Sequence, residues 1–594
     1  MKRLFSALAG TLLLSACAAP MASRQSEPKA AMDGPVTVGI VAINDFHGAL
    51  EPPKQSVFIS DGSTPRPGEP ASGAIGVPAG GAAWLASAID SVRAKYPRNV
   101  VVSAGDMISA SQIASSLYLD EPTIGVMNRI GVDFNAVGNH EFDRGRDELL
   151  RMQNGGCEQH TARKPCQLEP FKGAGFRYLA ASTRTEDGGT LFPATGIRSF
   201  GEGPRKVTVG FIGLTLKGTP ELVSPEGVRG LTFADEADTI NAAVPLLKAQ
   251  GADAIVVLIH QGGKTDAYTD PWDCKDLVGD IRPILDRLDT RVDVVVSGHT
   301  HWAYVCDYGT INPAKPILLT SAGVYGELVT DIALSIDPSS HRVVGKTAKN
   351  IIVQSAPYTA SRGPVGNTDL VPRFAPRADI AEYVARYVDA AKLFAERPVG
   401  KLAGPATRRE IGDVDYGGPL SNLIADAQLA ASAGAGAQIG FMNAFGVRAP
   451  LVPAPDGSVT FGMIYATQPF NNQLITLTIT GADLKAALEQ SFSDSGPEQF
   501  LTPSAGFSYK VDRAAPAGAR VSAIVLNGKP IDPAAKYRVT MSEFLANGGD
   551  GFTVFARQGE RVRGATDLDA LEAWLKAIPP RAVPAERRIG EVTR

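Results

Sequence analysis

Val137 to Asp143 read VGNHEFD, and the whole chain is organised around this stretch. A turn after a short apolar run presents Asn139, His140, Glu141 and Asp143 together, which places an amide, an imidazole and two carboxylates within a few residues of backbone. Outward from it the same arrangement recurs. Val36 to Ile43, VTVGIVAI, is rich in β-branched residues and ends at Asn44-Asp45-Phe46-His47. Val100 to Val102 ends at Gly105-Asp106, Asn135 to Val137 at Gly138-Asn139-His140, Ala254 to Ile259 at His260, and Val292 to Val296 at Gly298-His299-Thr300-His301. Short β-branched runs that stop at turn residues read as buried strands. Five of the seven histidines fall at these strand ends, counting His140.

In layered α/β architectures the loops leaving one edge of a sheet gather into a site. If these strands lie side by side, Asp45, His47, Asp106, Asn139, His260, His299 and His301 converge. Oxygen and imidazole donors without thiolate suit Zn, Mn, Fe, Ni or Co. Seven ligands exceed the needs of one tetrahedral ion and match two divalent metal ions sharing a carboxylate. Such pairs sit roughly 3.5 to 4 Å apart, clamp a phosphoryl group and activate a water.

Length and composition bound the rest. At 594 residues the chain implies about two to four domains. Hydrophobic residues are 44% and charged residues 20%, and the formal net charge of −4 gives no reason to expect a nucleic acid polymer as partner. Lys2 and Arg3 precede an apolar run, Leu4 to Leu14, too short to span a bilayer, which ends in Leu14-Ser15-Ala16-Cys17. This resembles a bacterial lipobox, which implies a signal peptide over 1–17, cleavage before Cys17 and lipidation of its thiol. Ala18 after the cysteine implies an outer-membrane lipoprotein, in the periplasm or at the cell surface, and 18–35 reads as a tether. Membrane attachment is then through the lipid alone. In an exported chain the remaining cysteines read as disulfides, and pairing Cys157 with Cys166 and Cys274 with Cys306 closes the shortest loops.

The motifs NDFHG, SAGD, VGNHEFD, the isolated His260 and SGHTH resemble those of the calcineurin-like metallophosphoesterases. With its second domain, the chain from about Val36 onward is similar to the bacterial 5'-nucleotidase and UDP-sugar hydrolase family. The resemblance implies a four-layer α/β/β/α metallophosphoesterase domain over 36–355, a linker and bridging helix over 356–397, and an α+β substrate-binding domain over 398–594. It implies that one metal takes Asp45, His47, Asp106 and His301, and the other Asp106, Asn139, His260 and His299. His140 and Asp143 fall on the family's catalytic dyad. The metal identity stays open among Zn, Mn, Co and similar ions.

Asp379 to Glu396 repeats apolar residues at helical spacing and predicts the bridging helix. Beyond Pro398, helical periodicity over Leu420 to Ala433, alternation over Leu474 to Thr480 and the Asn527-Gly528 hairpin signal predict an α+β domain. The resemblance places Phe470 and Phe544 where the family stacks a base and Asp550 where it binds a ribose. Asn443, Arg448 and Asn472 fall on its polar substrate contacts. One departure is that an Arg common before the SNL helix start is replaced by Tyr416, with Arg408 and Arg409 farther upstream. The family is known for domain rotation during turnover.

These readings imply an exported phosphohydrolase acting on nucleoside 5'-monophosphates, with UDP-sugars and nucleoside di- and triphosphates as further substrates. Its alternatives are a 2',3'-cyclic-nucleotide phosphodiesterase or another ester hydrolase of the family, including the thiosulfohydrolases. A non-catalytic nucleotide-binding or adhesin lipoprotein is the alternative from another class. Oligomeric state is not legible in the sequence.

Overall fold

The computed structural model describes residues 34–60, 74–161, 163–265, 271–360, 363–407, 418–492 and 499–592. Cys17, Arg408, Arg409 and Tyr416 lie outside the described residues.

Two six-stranded sheets face each other in the first half of the chain. One has the spatial order Arg342–Ile352, Leu328–Asp337, Val36–Ile43, Asn99–Ser103, Phe134–Ala136, Arg177–Leu179. The other has Ala303–Asp307, Leu318–Ala322, Val294–Ser297, Ala254–His260, Val207–Thr215, Thr195–Phe200. The site-bearing strands are parallel neighbours within each sheet, with Ile40 beside Val100 and Val256 beside Val294. Side chains alternate between layers as the period of two requires. Val36, Val38, Ile40 and Ala42 meet Val256, Leu258, Val294 and Val296 between the sheets. Val41 and Ile43 face the helices Ala82–Arg93 and Glu121–Ile130. Ile255, Val257 and Ile259 face Glu236–Ala249 and Ile281–Arg287. Strands buried on both faces need apolar residues at nearly every position, which is why these runs are continuous rather than alternating. The result is a helix, sheet, sheet, helix stack.

The five strands do not share one sheet. Three belong to the first and two to the second, and they converge because both sheets end at the same edge. The turn after Ala322 crosses from the second sheet to the first, and there the Tyr325 N–H donates to the Asp45 carbonyl at 2.8 Å. Within the stretch Glu51 to Gly80, whose Gly- and Pro-rich sequence reads as an insertion, Ser56–Ser60 and Ala74–Pro78 pair antiparallel. Cys157 is bonded to Cys166 and Cys274 to Cys306.

The helix Ala378–Ala395 buries Ile380, Tyr383, Val384, Tyr387 and Ala391 against the first domain, a single stripe at helical spacing. Gly125 permits this approach, since a Cβ there would lie 2.1 Å from the Tyr383 hydroxyl. The second domain holds a five-stranded sheet ordered Thr502–Pro503, Ile439–Met442, Lys536–Ser542, Gln473–Thr480, Val562–Thr566, and a four-stranded sheet through Phe507–Val511. The Asn527-Gly528 turn has φ of 49° and 77°, as a tight hairpin between Val521–Leu526 and Lys529–Pro530 demands.

Candidate metal centre and cleft

Asp45, His47, Asp106, Asn139 and His260 are buried at the strand ends, and His299 and His301 are half-buried beside them. Two groups of donor atoms form. The ligand atoms of Asp45, His47 and His301 all lie within 4.8 Å of one another, as do those of Asp106, His260 and His299. Asp106 Oδ2 stands between the groups, 3.7 Å from His47 Nε2 and 3.0 Å from His260 Nε2. Asn139 joins the second group, its Oδ1 3.1 Å from His299 Nδ1. All seven residues expected from the sequence are therefore brought together.

The donor chemistry fits cations. His47 Nδ1 donates to the Ser109 carbonyl at 2.9 Å and His260 Nδ1 to the Ala104 carbonyl at 2.8 Å. Each bond commits Nδ1 as a donor and leaves Nε2 facing the site. His260 Nε2 makes no hydrogen bond although buried and aimed at Asp106, and His47 Nε2 points at His301 Nε2 at 3.2 Å. Nitrogens aimed at a carboxylate and at each other need positive charge between them, which a cation or a proton supplies. Burial, with the charge of His260 adding for His299, holds His47 and His299 down at about 3, so both are neutral imidazoles of the ligand form. Burial also opposes charge on His260, but Asp106 and Asp45 outweigh it and raise that group. Burial works to raise Asp106 as well, and His260 and His140 overcome it and hold the carboxylate low.

The backbone is bent to present these groups. Asp45, His47, Asp106, His299 and His301 all have positive φ, between 46° and 70°. This region is uncommon for residues with a side chain and clusters at functional sites. Three supports hold it that no motif reading supplied. Asn44 Nδ2 donates to Asp45 Oδ2 at 2.8 Å and to the Gly323 carbonyl at 2.6 Å. Glu141 accepts from the backbone N–H groups of Asp106 and Met107 at 2.9 Å and of Gly138 at 2.8 Å, tying the second motif to the third. Gly138 itself must lack a side chain, because a Cβ would sit 2.2 Å from Asp106 Oδ1. The local signal for Glu141 was only its place beside His140, whereas two of its three partners lie 34 and 35 residues away.

His140 lies over this centre. Its Nδ1 donates to Asp143 Oδ2 at 2.9 Å, and its N–H donates to Asp106 Oδ1 at 2.9 Å. Burial disfavours its charge, but Asp143 and Asp106 overcome that and raise it above the ordinary histidine value. A protonated His140 offers Nε2–H as a donor to an oxygen at the centre.

The second domain faces it across a cleft of about 1570 Å³ lined by His140, His299, His301, Asn443, Arg448, Phe470, Asn472, Phe544 and Asp550. The Phe470 ring stacks on His140 with centroids 5.8 Å apart, and the Arg448 guanidinium lies 5.9 Å from Phe470. Phe544 rests one face on Gly549, where a Cβ would be 2.5 Å from its ring. Asn443 Nδ2 donates to Asp550 Oδ2 at 2.7 Å, and Asp550 occupies a left-handed turn among three glycines. Burial pushes Asp550 up to about 6, against the Asn443 bond and Arg448. Farther back, Tyr465 of the second domain hydrogen-bonds Ser116 of the first, and Ser116 accepts from Arg144 at 3.2 Å.

Comparison with known proteins agrees with this architecture. Residues 39–303 match the calcineurin-like phosphoesterase family and residues 398–557 match the 5'-nucleotidase C-terminal domain. The chain is 30% identical over 93% of its length to Endonuclease YhcR of Bacillus subtilis, of which it spans only 41%. It is 25% identical to a probable 5'-nucleotidase of Treponema pallidum, over 90% of each chain. The crystal structure of a 5'-nucleotidase precursor from Thermus thermophilus superposes with a TM-score of 0.71 at 25% identity, covering 94% of this chain and all of that one. From the succession of these two domains, the chain belongs to the 5'-nucleotidase family of metal-dependent phosphoester hydrolases.

Proposed function

We propose that the protein is an exported, lipid-anchored hydrolase that releases phosphate from nucleoside 5'-monophosphates. The observation that carries this reading is the single cleft in which the two donor groups and His140 face Phe470, Phe544 and Asp550. Asp45, His47, Asp106 and His301 would hold one divalent ion, and Asp106, Asn139, His260 and His299 the other. When bound, such a pair supplies hydroxide near neutral pH and neutralises the phosphoryl oxygens.

The chain's own groups do the rest. His140, held by Asp143, donates a proton or hydrogen bond to a phosphoryl or leaving oxygen. The Phe470 and Phe544 faces accept a base by stacking, Asp550 accepts from a ribose diol, and Arg448 with Asn443 and Asn472 adds polar contacts. Anchoring rests on Cys17 and its lipobox-like setting.

The test is phosphate release by the chain lacking residues 1–17, with Mn, Co or Zn added, on AMP, UMP, UDP-glucose, ATP, 2',3'-cyclic AMP and an aryl phosphate. Preference for the 5'-monophosphates, lost in His140→Ala, supports the reading. Activity on the cyclic or aryl substrate alone would refute it. Cys17→Ser is expected to move the full chain from the membrane fraction to the soluble one, and retention at the membrane would contradict the anchor.

A further inference from the structure

Three residues of the second domain that line the cleft each carry a buried polar atom without a partner among the described residues. Gln428, on the helix Pro419–Ala431, is 1% exposed. Its Nε2 reaches the Met442 sulfur at 3.5 Å, and its Oε1 has no hydrogen-bond partner among the described residues. Ser491, just beyond the helix Gly481–Glu489, is also 1% exposed with an unpartnered Oγ. Gln499 presents a third such atom, its Oε1. All three residues line the cleft alongside Phe544.

Buried polar atoms in folded proteins are nearly always satisfied, and an orphaned one points to a ligand or an ordered water. Three on residues of one cleft that also holds Phe544 give it a polar wall, and two of those residues are joined, the Gln499 N–H donating to the Ser491 carbonyl at 2.9 Å. Two of the atoms are amide oxygens, which only accept. The third is a hydroxyl, which donates or accepts. Their complement is a ring edge carrying N–H donors next to a ring nitrogen able to accept from the hydroxyl. Adenine and cytosine present such an edge, an exocyclic amino group beside an unprotonated ring nitrogen. Hypoxanthine and uracil put a carbonyl oxygen where the amino group stands, and oxygen would then oppose oxygen. The sulfur contact at Gln428 favours the amide orientation that points Oε1 away from Met442.

We propose that Gln428, Gln499 and Ser491 read the hydrogen-bonding edge of the base and select adenine and cytosine over hypoxanthine and uracil. This rests on the nucleotidase reading above. Phe470 and Phe544 supply affinity for any base, and this wall supplies the discrimination.

AMP and IMP differ at this edge by the exchange of amino for keto, so their kcat/KM ratio isolates the effect. The native protein is expected to favour AMP by roughly tenfold or more, the scale of one misplaced buried hydrogen bond. Gln428→Leu, of similar volume, is expected to bring the ratio to within about threefold of unity. Ser491→Ala removes one oxygen atom and tests the same claim if Gln428→Leu does not fold; it should lower the ratio several-fold. Equal use of AMP and IMP by the native protein, or a ratio unmoved in the folded variants, overturns the proposal while leaving the nucleotidase reading intact. Hydrolysis of an aryl phosphate with none of either nucleotide overturns both.

Discussion

Replacing Glu141 with Ala removes the acceptor of three buried N–H groups, those of Asp106, Met107 and Gly138. Glu141 is 2% exposed, so bulk water does not take its place. Each orphaned donor costs about 1–3 kcal/mol, and a water entering the vacated space would meet one or two of them. The net loss is then about 3–5 kcal/mol, a large fraction of the roughly 5–15 kcal/mol that holds a typical domain. Because two of the three groups flank the Asp106 carboxylate, the loss also loosens the oxygen that stands between the two donor groups. Glu141→Gln keeps one acceptor oxygen and is expected to lose about half as much. Urea unfolding followed by tryptophan fluorescence, with metal content measured after dialysis, reads both effects. The order native, Gln, Ala is expected for the unfolding midpoint and for retained metal alike. An alanine variant with native midpoint and native metal content would show that Glu141 is not the clamp described.

Two further outcomes follow from the geometry. Asp143→Asn takes away the carboxylate that orients and charges His140, and is expected to lower kcat by about 10²- to 10⁴-fold while metal content stays native; a loss of metal instead would place Asp143 in the metal-holding structure. Hydrogen bonding from Arg397, at 2.5 and 2.6 Å, holds Glu572 down at about 2 despite partial burial, against about 4.3 in the unfolded chain. A depressed acid stabilises fully above its unfolded value and loses that contribution as pH falls towards 2. With Arg397 43% exposed, screening limits the pair to about 1 kcal/mol. The stability difference between native and Glu572→Gln should therefore shrink as the medium is acidified from about pH 5 towards pH 3, and a constant difference would show that the pair is not the source.

The metal centre was legible because its chemistry is concentrated in short motifs at the ends of apolar runs, and the fold brings all seven named groups to one place. The division of those runs between two sheets was not. Strands buried on both faces carry the same continuous apolar signature whichever sheet they join, as Val36–Ile43 and Ala254–His260 show. The supporting contacts escaped for a different reason. Asn44 reaches Gly323 across 279 residues and Tyr465 reaches Ser116 across 349, and no local pattern encodes such partners. The pairing of Ser56–Ser60 with Ala74–Pro78 was hidden by a Gly- and Pro-rich composition that reads as loop. Gln428 and Ser491 both read as ordinary helix residues, and only their burial without partners singles them out.

The positive φ angles at Asp45, His47, Asp106, His299 and His301 bear on how this protein would respond to engineering. Glycine would relieve the backbone at each of these positions, so a search for thermostable variants guided by backbone preference alone would choose them first. At His299 and His301 the folded chain would then gain backbone stability as it gave up ligands, whereas at Asp106 and Asp45 the orphaned His140 and His299 N–H groups would offset the gain. Heat resistance in such a library would come chiefly from loss of the histidines that hold metal.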